Sequence, residues 1–508
     1  MNTQAFLRAG VVLALAGRII GGQAATFSAA GLFGPDGFGG NVGDLFRGKN
    51  PSSDGVPAER SGPVIDVGIK GYNKANTASV LWKRGDYTGA EKEATKLAEK
   101  ATKGKNDDKG KDALIYRLEE GTILLFNNKP EQSIKALEAA ERRVDENSAK
   151  AKTSLSDEAV KGLLNPSHAV YRGRAYDGIL LNTYKALNYL RLGQGESAKV
   201  ELTRASQRQI DAVEANKKRI EREAEELEKN KDKDKIEAAE KDEKLNQQLA
   251  EVYGSLEQLK PYANYENPFT VYLDGLVTMA IAASLNDNEY ARKAFERAVG
   301  FEPANPYLKA DLDAMEGVVR GTSIAPTTYV IFETGSAPIR ETVRFDLPVP
   351  GVETFFAASF PKLRFDEDFV PNLEVTHGSA TDKTALVASI DAVIGREFKN
   401  DLPGVKARTL SWAAGKAAAG SFAPGPVKLL FIGQQALFNE ADLRTWHTLP
   451  KEVQVCRIPT PEDRKVVVTV PGGAHRSEIV VQEGHFNLIH VRSVNSRTPL
   501  VISQIKLK

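Results

Sequence analysis

Cysteine is almost missing from this chain: among 508 residues there is one, Cys456. A single thiol excludes an internal disulfide framework and any zinc or iron–sulfur site built from cysteines. An excess of charge of either sign is missing too. Lys and Arg number 68 against 67 Asp and Glu, so no global basic field exists to hold nucleic acid, and no nucleic-acid partner is expected. Long apolar runs are also lacking. The longest near the start, residues 9–17, is broken by Arg18 and falls far short of the ~20 residues that a spanning helix needs. The patterns His-Glu-x-x-His, Gly-x-Ser-x-Gly and the P-loop do not occur. No catalytic residue, cofactor or metal is expected.

What is present begins with an export pattern. Arg8 and the amino terminus supply a positive segment, residues 9–17 a short apolar one, and Gly22-Gln23-Ala24 small residues at a cleavage site. Residues 1–24 therefore read as a signal peptide, and the chain as exported to the periplasm or cell envelope. Leu15-Ala16-Gly17 is similar to the bacterial lipoprotein signal, but Arg18 stands where that signal has its acylated cysteine. No lipid can be attached there, and any membrane association would be peripheral. Residues 25–63 continue a stretch rich in glycine, with 11 glycines between 21 and 62. Such a segment buries too little apolar surface to offset its ordering entropy, and reads as a flexible linker.

Proline divides the remainder. Residues 64–323 hold 6 prolines in 260 positions, and residues 324–508 hold 14 in 185. The first part reads as helices over 64–322, the second as an α+β region over 323–440 and a small β-sandwich-like domain over 441–508. The helical part carries a repeat. Where two helices cross closely a small residue is needed, a larger apolar residue one turn on fills the gap, and proline stops the second helix. Residues 286–303 place Ala291, Phe295, Ala298 and Pro303 in this way. Trp82, Gly85, Tyr87, Ala90, Ala94 and Leu97 match, as do Ser133, Leu137 and Ala140, and Gly193, Ala198, Leu202 and Ala205. These spacings resemble tetratricopeptide units. The steps from Gly85 to Asn128, Gly193 and Asn286 are 43, 65 and 93 residues, so insertions interrupt the array.

The largest insertion, about residues 206–260, has two apolar seams. Ile210, Val213, Lys217, Ile220, Ala224 and Leu227 step by three and four, and Leu245, Leu249, Val252, Leu256 and Leu259 follow a charged break at 229–235. The expectation is an antiparallel coiled-coil hairpin that closes on itself. Its bland competitor is a single solvated helix face, since 24 of the 37 residues from 208 to 244 are charged. Further on, residues 327–334, 341–347, 352–359, 373–377 and 384–388 read as strands. Residues 389–419 read as two helices, the second capped by Asp401 with Pro403 in its first turn. Strands follow over 427–432, 452–458, 465–470, 478–482, 486–491 and 500–506.

Several phrases, in this order, carry a family likeness: Leu114-Ile115-Tyr116-Arg117-Leu118-Glu119-Glu120-Gly121, Asn267-Pro268-Phe269, Phe332-Glu333-Thr334-Gly335-Ser336-Ala337-Pro338, Glu397-Phe398-Lys399 before Leu402-Pro403, and Asp442-Leu443-Arg444-Thr445-Trp446 before Leu449-Pro450. Together they resemble a largely uncharacterised family of bacterial envelope lipoproteins that joins tetratricopeptide repeats to a β-rich C-terminal region. The likeness implies an envelope location and a scaffold role, and no reaction. Arg18 departs from it at the lipid anchor.

Candidate chemistry is sparse. Gly193-Gln194-Gly195-Glu196-Ser197-Ala198 fits a dinucleotide fingerprint, but helical spacing precedes it where that fold needs a strand, so it reads as a repeat turn. Ser359–Lys362 and Ser503–Lys506 have Ser-x-x-Lys spacing in strand-like sequence, where the lysine is not one helical turn away. His485 and His490 fall on opposite strand faces, and Cys456 reads as a small reduced side chain. Recognition is what remains. Asp177, Leu181, Tyr184, Asn188 and Arg191 form a second stripe on the helix at 176–192, weighed between a concave groove for a protein or peptide partner and an ordinary packed helix edge. A groove would tolerate loss of Tyr184 and Arg191 without loss of fold. The alternative is an envelope glycan-binding protein or hydrolase with its site around Arg444, Trp446 and His447.

Overall fold

The computed structural model describes residues 77–102, 110–153, 170–229, 241–259, 262, 265–348, 355–421, 442–473 and 475–508. The chain divides into two compact units, residues 1–66 and 67–508. The first unit lies outside the described residues, and with it the expected signal peptide (1–24) and the whole of the expected linker (25–63). So do the strand expected over 427–432 and all but the first residue of the expected hairpin tip.

Within the second unit, six helices come in pairs joined by three-residue turns: α1 (Thr77–Lys83) with α2 (Tyr87–Thr102), α3 (Ala113–Phe126) with α4 (Pro130–Thr153), and α5 (Ala175–Arg191) with α6 (Gly195–Glu228). One turn serves all three pairs. Gly85, Asn128 and Gly193 take φ of 79°, 57° and 70°, each donating its N–H to the carbonyl three residues back. The next residue donates to the carbonyl five back: Asp86 to Leu81 at 3.0 Å, Lys129 to Leu124 at 2.9 Å and Gln194 to Tyr189 at 2.9 Å. The left-handed residue thus satisfies the last carbonyls of the first helix, which is why glycine or asparagine recurs there. Close crossing uses the small residues. A Cβ on Gly121 would lie 2.5 Å from Leu137 of α4.

The fourth unit is built differently. α7 (Glu243–Tyr253) and a 3₁₀ turn (Gly254–Gln258) lead to α8 (Pro268–Ile281), α9 (Leu285–Phe301) and α10 (Pro306–Val319). Asn286 lies inside α9 rather than in the turn. The junction is a capping box in which the Ser284 side chain accepts from Asp287 N–H while Asp287 accepts from Ser284 N–H. Ala291, Phe295 and Ala298 are buried as the repeat pattern requires.

The inserted hairpin does not close on itself over the described residues. Leu245, Leu249, Tyr253 and Leu256 pack with Phe345, Phe360, Phe398 and Leu410 in a separate apolar cluster, while Ile210, Val213 and Ile220 of α6 are exposed. The second seam finds a larger aromatic surface than the first seam offers, and burial follows area.

The strands are β1 (Thr327–Thr334), β2 (Ile339–Pro348), β3 (Phe355–Arg364), β4 (Glu374–His377), β5 (Ala380–Lys383) and β6 (Ala385–Ser389), then α11 (Ile390–Ser421), β7 (Glu452–Pro459), β8 (Lys465–Thr469), β9 (Arg476–Val480), β10 (Phe486–Ser493) and β11 (Val501–Lys506). They form a sheet in the order β11-β10-β1-β7-β6, a sheet β5-β4-β8-β9 and the hairpin β2-β3. In the larger sheet β1 runs parallel to β10 and antiparallel to β7. Alternation sends its side chains two ways. Val330 and Phe332 join Cys456, Ile489 and Val491 against Val375, Val466 and Val468 of the smaller sheet. Tyr329 and Ile331 join Val455 and Leu488 in the core of the helices.

This arrangement corrects two expectations. The sandwich is not self-contained in 441–508, because β1 and β6 complete one sheet and β4 and β5 the other. Boundaries at 322 and 440 separate no compact units, because one core runs through Trp82, Leu181, Phe295, Tyr329, Trp446 and Leu488. A third correction concerns α11, one helix with Pro403 inside it rather than two. Burial of Phe398 and Leu410 on either side of the proline outweighs the lost hydrogen bond. The Asn400 carbonyl is met from outside by Arg219 Nη2 at 3.2 Å.

Candidate functional site

The two sequence-derived sites, one on α5 and one near Trp446, are opposite walls of a single buried seam. α3 and α5 supply one wall. The segment 442–451 and strands β1 and β10 supply the other. The start of α5 is fixed by Glu397 of α11, whose carboxylate accepts from the N–H groups of Ala175 at 2.9 Å and Tyr176 at 3.0 Å. Burial, with the nearby Asp401 charge, pushes the Glu397 carboxyl up to about 7.

Tyr184 sits at the centre. Its ring meets Trp446 edge-on at 5.8 Å between centroids, and its hydroxyl donates to Glu333 Oε2 of β1 at 2.8 Å. Burial, reinforced by the Glu333 charge, holds its own pKa far above the phenol range. Trp446 is fully buried, and its Nε1–H is shared between the hydroxyls of Thr122 on α3 (3.1 Å) and Thr448 (3.0 Å). His447 donates its backbone N–H to Glu119 Oε1 at 2.7 Å. Arg444 forms a fork with Asp442, Nε to Oδ1 at 2.7 Å and Nη2 to Oδ2 at 3.0 Å, and reaches Asp112 at 3.1 Å. Burial works to raise the Asp442 carboxyl, and the Arg444 hydrogen bonds and charge overturn that and hold it below the usual range. Residues 442–451 therefore lie across the helices as a guest peptide would, anchored by an aromatic and an arginine.

The rest of the α5 stripe is spent inside the molecule as well. Asp177 accepts from Tyr171 Oη at 2.5 Å. Leu181 lies in the shared core. Asn188 donates to Ser133 Oγ at 2.7 Å. Arg191 donates to the Leu125 carbonyl and, through Nη2, approaches His490 Nδ1 at 3.1 Å. Asp177, Leu181, Tyr184 and Asn188 are at most 1% exposed. The expected free groove is thus corrected: the chain itself already fills it, the β part at Tyr184 and Arg191, Tyr171 at Asp177 and α4 at Asn188. Loss of Tyr184 and Arg191 together would break the core instead of freeing a surface. The alternative site is corrected on the same ground, since Arg444, Trp446 and His447 face α3 and α5 and not solvent.

Glu333, His490 and Arg492 were not singled out as seam residues by the sequence, although charged or titratable residues inside apolar strands were the available signal. His490 Nε2 is 2.8 Å from Glu333 Oε1. Because Arg191 can only donate, Nδ1 accepts and the Nε2–H donates to the carboxylate. Burial lowers the His490 pKa, with Arg191 and Arg492 adding to the effect and Glu333 opposing it, so the ring is neutral. Arg492 lies over Trp82 and Phe126 and donates to the Ser493 carbonyl at 2.5 Å. These groups neutralise one another and present no solvent-facing nucleophile or base.

A cleft of about 510 Å³ opens elsewhere, lined by Glu138, Glu141, Lys185, Arg204 and Arg208 among others. Lys185 Nζ lies 2.6 Å from Glu141 and 2.9 Å from Glu201, and Arg208 reaches Asp145 at 2.8 Å. Lys185 and Arg208, the cations at its floor, are therefore already paired. Cys456 is buried in β7, where burial pushes the thiol up to about 12. Ser359 and Lys362 lie in β3, and Ser503 and Lys506 in β11, so neither pair has helical geometry. Among the described residues no group of three or more His, Cys, Asp or Glu side chains could hold a metal, and no helix is long and apolar enough to cross a membrane. Comparison with protein-family models, with curated proteins and with solved structures finds no match.

Proposed function

We propose that this chain is a non-catalytic, exported scaffold of the cell envelope, whose tetratricopeptide-like helices clamp its own β-rich part and whose protein or peptide partner binds outside the clamp. The observation that carries this reading is the seating of Trp446 between Thr122 and Tyr184. A repeat groove normally offers extended surface to a guest. Here residues 442–451 take the guest's place with an aromatic and an arginine anchor, the residue types that dominate such interfaces. The three identical left-handed turns at Gly85, Asn128 and Gly193 support the tetratricopeptide-like reading. The export pattern and Arg18 support an envelope location without an acyl chain.

Capture from a membrane fraction by the full chain, with crosslink mapping, tests the reading. Crosslinks should fall on exposed helix surfaces and spare α3, α5 and residues 442–451. Crosslinks from a partner to Tyr184 or Trp446 would show that the clamp opens to admit it. A full chain found intact from Met1 in a cytoplasmic fraction would end the export reading. No observation favours the glycan-binding or hydrolase alternative, because its residues are enclosed.

A further inference from the structure

Arg340 of β2 is 6% exposed, yet its Nε and Nη2 are enclosed and meet no hydrogen-bond acceptor among the described residues. Phe398 of α11 covers one face of the guanidinium, 4.8 Å from ring centre to Cζ. The unmet pair is the side-on fork, two parallel N–H groups that match two oxygens of one anion. Arg444 gives the same edge to Asp442, Nε at 2.7 Å and Nη2 at 3.0 Å, which shows what such a fork takes. A second arginine stands near. The charge of Arg174, the residue before α5, adds to burial in lowering the Arg340 pKa. Arg174 Nε is likewise enclosed without an acceptor among the described residues, and Nη1 comes only within 3.8 Å of Asp401. Tyr176, 1% exposed, has a hydroxyl with no partner there either. The neighbouring carboxylates are committed elsewhere. Asp401 meets Arg219 at 3.0 Å, Asp442 is held by Arg444, and both oxygens of Glu397 accept from the backbone of α5. Buried donors without acceptors are costly, and a buried arginine without a close counter-charge is more so.

We propose that Arg340, Arg174 and Tyr176 form a binding site for hydrogen phosphate. The donors come from β2 and from the start of α5, so they call for an anion with oxygens in several directions. A tetrahedral phosphate has them and a planar carboxylate does not. Asp177 decides between phosphate and sulfate. Its Oδ2 accepts from Tyr171 and from the Arg174 N–H, while Oδ1 is enclosed with no donor among the described residues. Hydrogen phosphate carries an O–H that can donate there, and sulfate has none. The Arg174 side chain is 14% exposed, which gives a small solute its approach. Arg340 is too deeply enclosed for a bulky phosphate ester.

Isothermal titration calorimetry of the full chain tests this, with inorganic phosphate at about pH 8 and constant ionic strength. At that pH the Asp177 carboxyl, which burial pushes up to about 6, is ionised and able to accept. One phosphate should bind per chain, and sulfate and acetate should bind at least about tenfold more weakly. Tyr176→Phe removes only an unpartnered hydroxyl. It should melt like the parent in phosphate-free buffer and bind phosphate about tenfold more weakly, the loss of one hydrogen bond to a charged group. Arg340→Met keeps a chain packed on Phe398 and should abolish binding. Because it also removes an unpaired buried charge, it should melt no lower than the parent in phosphate-free buffer. Should Arg340→Met not fold, Tyr176→Phe decides alone. Heat that does not saturate, or binding that Tyr176→Phe leaves at parental strength, overturns the proposal. Sulfate or acetate bound as tightly as phosphate overturns the choice of anion. A chain that binds phosphate only once Glu440→Gln is introduced gives the fork to the chain's own carboxylate, and that too is fatal.

Discussion

Trp446→Ala is the sharpest test of the seam. The side chain is 0% exposed, fills the space between α3 and α5, and satisfies its N–H on two threonine hydroxyls. Truncating a buried tryptophan to alanine typically costs about 3–5 kcal/mol, the lost transfer energy plus the cavity left behind. Thr122 moderates the cost, because its hydroxyl also donates to the Leu118 carbonyl at 3.0 Å and is not orphaned. Against a whole-domain stability of about 5–15 kcal/mol, such a loss should be visible as a large shift in the urea midpoint. It should also act on the whole unit, since one core contains helices and strands alike. Trp446→Phe separates the contributions: it keeps most of the volume and should cost about 1–2 kcal/mol. Far-ultraviolet dichroism and near-ultraviolet dichroism, followed through urea unfolding, provide the assay. If Trp446→Ala unfolds within ~1 kcal/mol of the parent, the seam is not part of the core. If the helices and strands unfold in two separate transitions, the clamp holds two independent bodies and the reasoning fails.

Three other outcomes follow from the same structure. Leu249→Ala should cost about 2–5 kcal/mol because the leucine is buried in the aromatic cluster under α11, whereas Ile210→Ala, measured in dilute protein, should stay within about 0.5 kcal/mol; equal costs would mean that the two seams do pack together. His490 has a folded pKa below its unfolded value, so the stability it contributes is present above about pH 6.5 and is lost as pH falls through the folded pKa. His490→Gln should therefore flatten the melting profile below pH 6.5 relative to the parent, and parallel profiles would show that the ring does not titrate as its neighbours Glu333, Arg191 and Arg492 dictate. Gly193→Ala places a Cβ where no atom lies within 4 Å but where φ is +70°, so it should cost about 1–2 kcal/mol from backbone strain alone, while Asn128→Gly in the equivalent turn should be neutral or slightly stabilising by calorimetry.

Local features were set by the sequence itself. Gly85 and Gly193 mark their turns because only a residue free of Cβ strain sits easily at positive φ, and the spacing of Ala291, Phe295 and Ala298 commits them to a helix crossing wherever the second helix comes from. The strand β1 was legible to its ends, since β-branched and aromatic residues run from Thr327 to Thr334 with Glu333 the one interruption. The identity of the stripe on α5 was legible too, as a helix face too apolar and too polar at once to be plain surface. What covered that face was not. A helical period says that a side is buried, never by what, and the answer lay in contacts across great sequence distance: Tyr184 to Glu333, Trp446 to Thr122, Arg191 to His490. The same blindness split one sandwich into two regions, because nothing in β1 announces that β10, more than 150 residues later, will lie parallel to it. It also paired the two seams of the insertion with each other, when tertiary structure offered the second a richer apolar surface of Phe345, Phe360 and Phe398 and left the first exposed. Short-range sterics and periodicity shaped the pieces, and long-range competition for buried area decided which piece each one met.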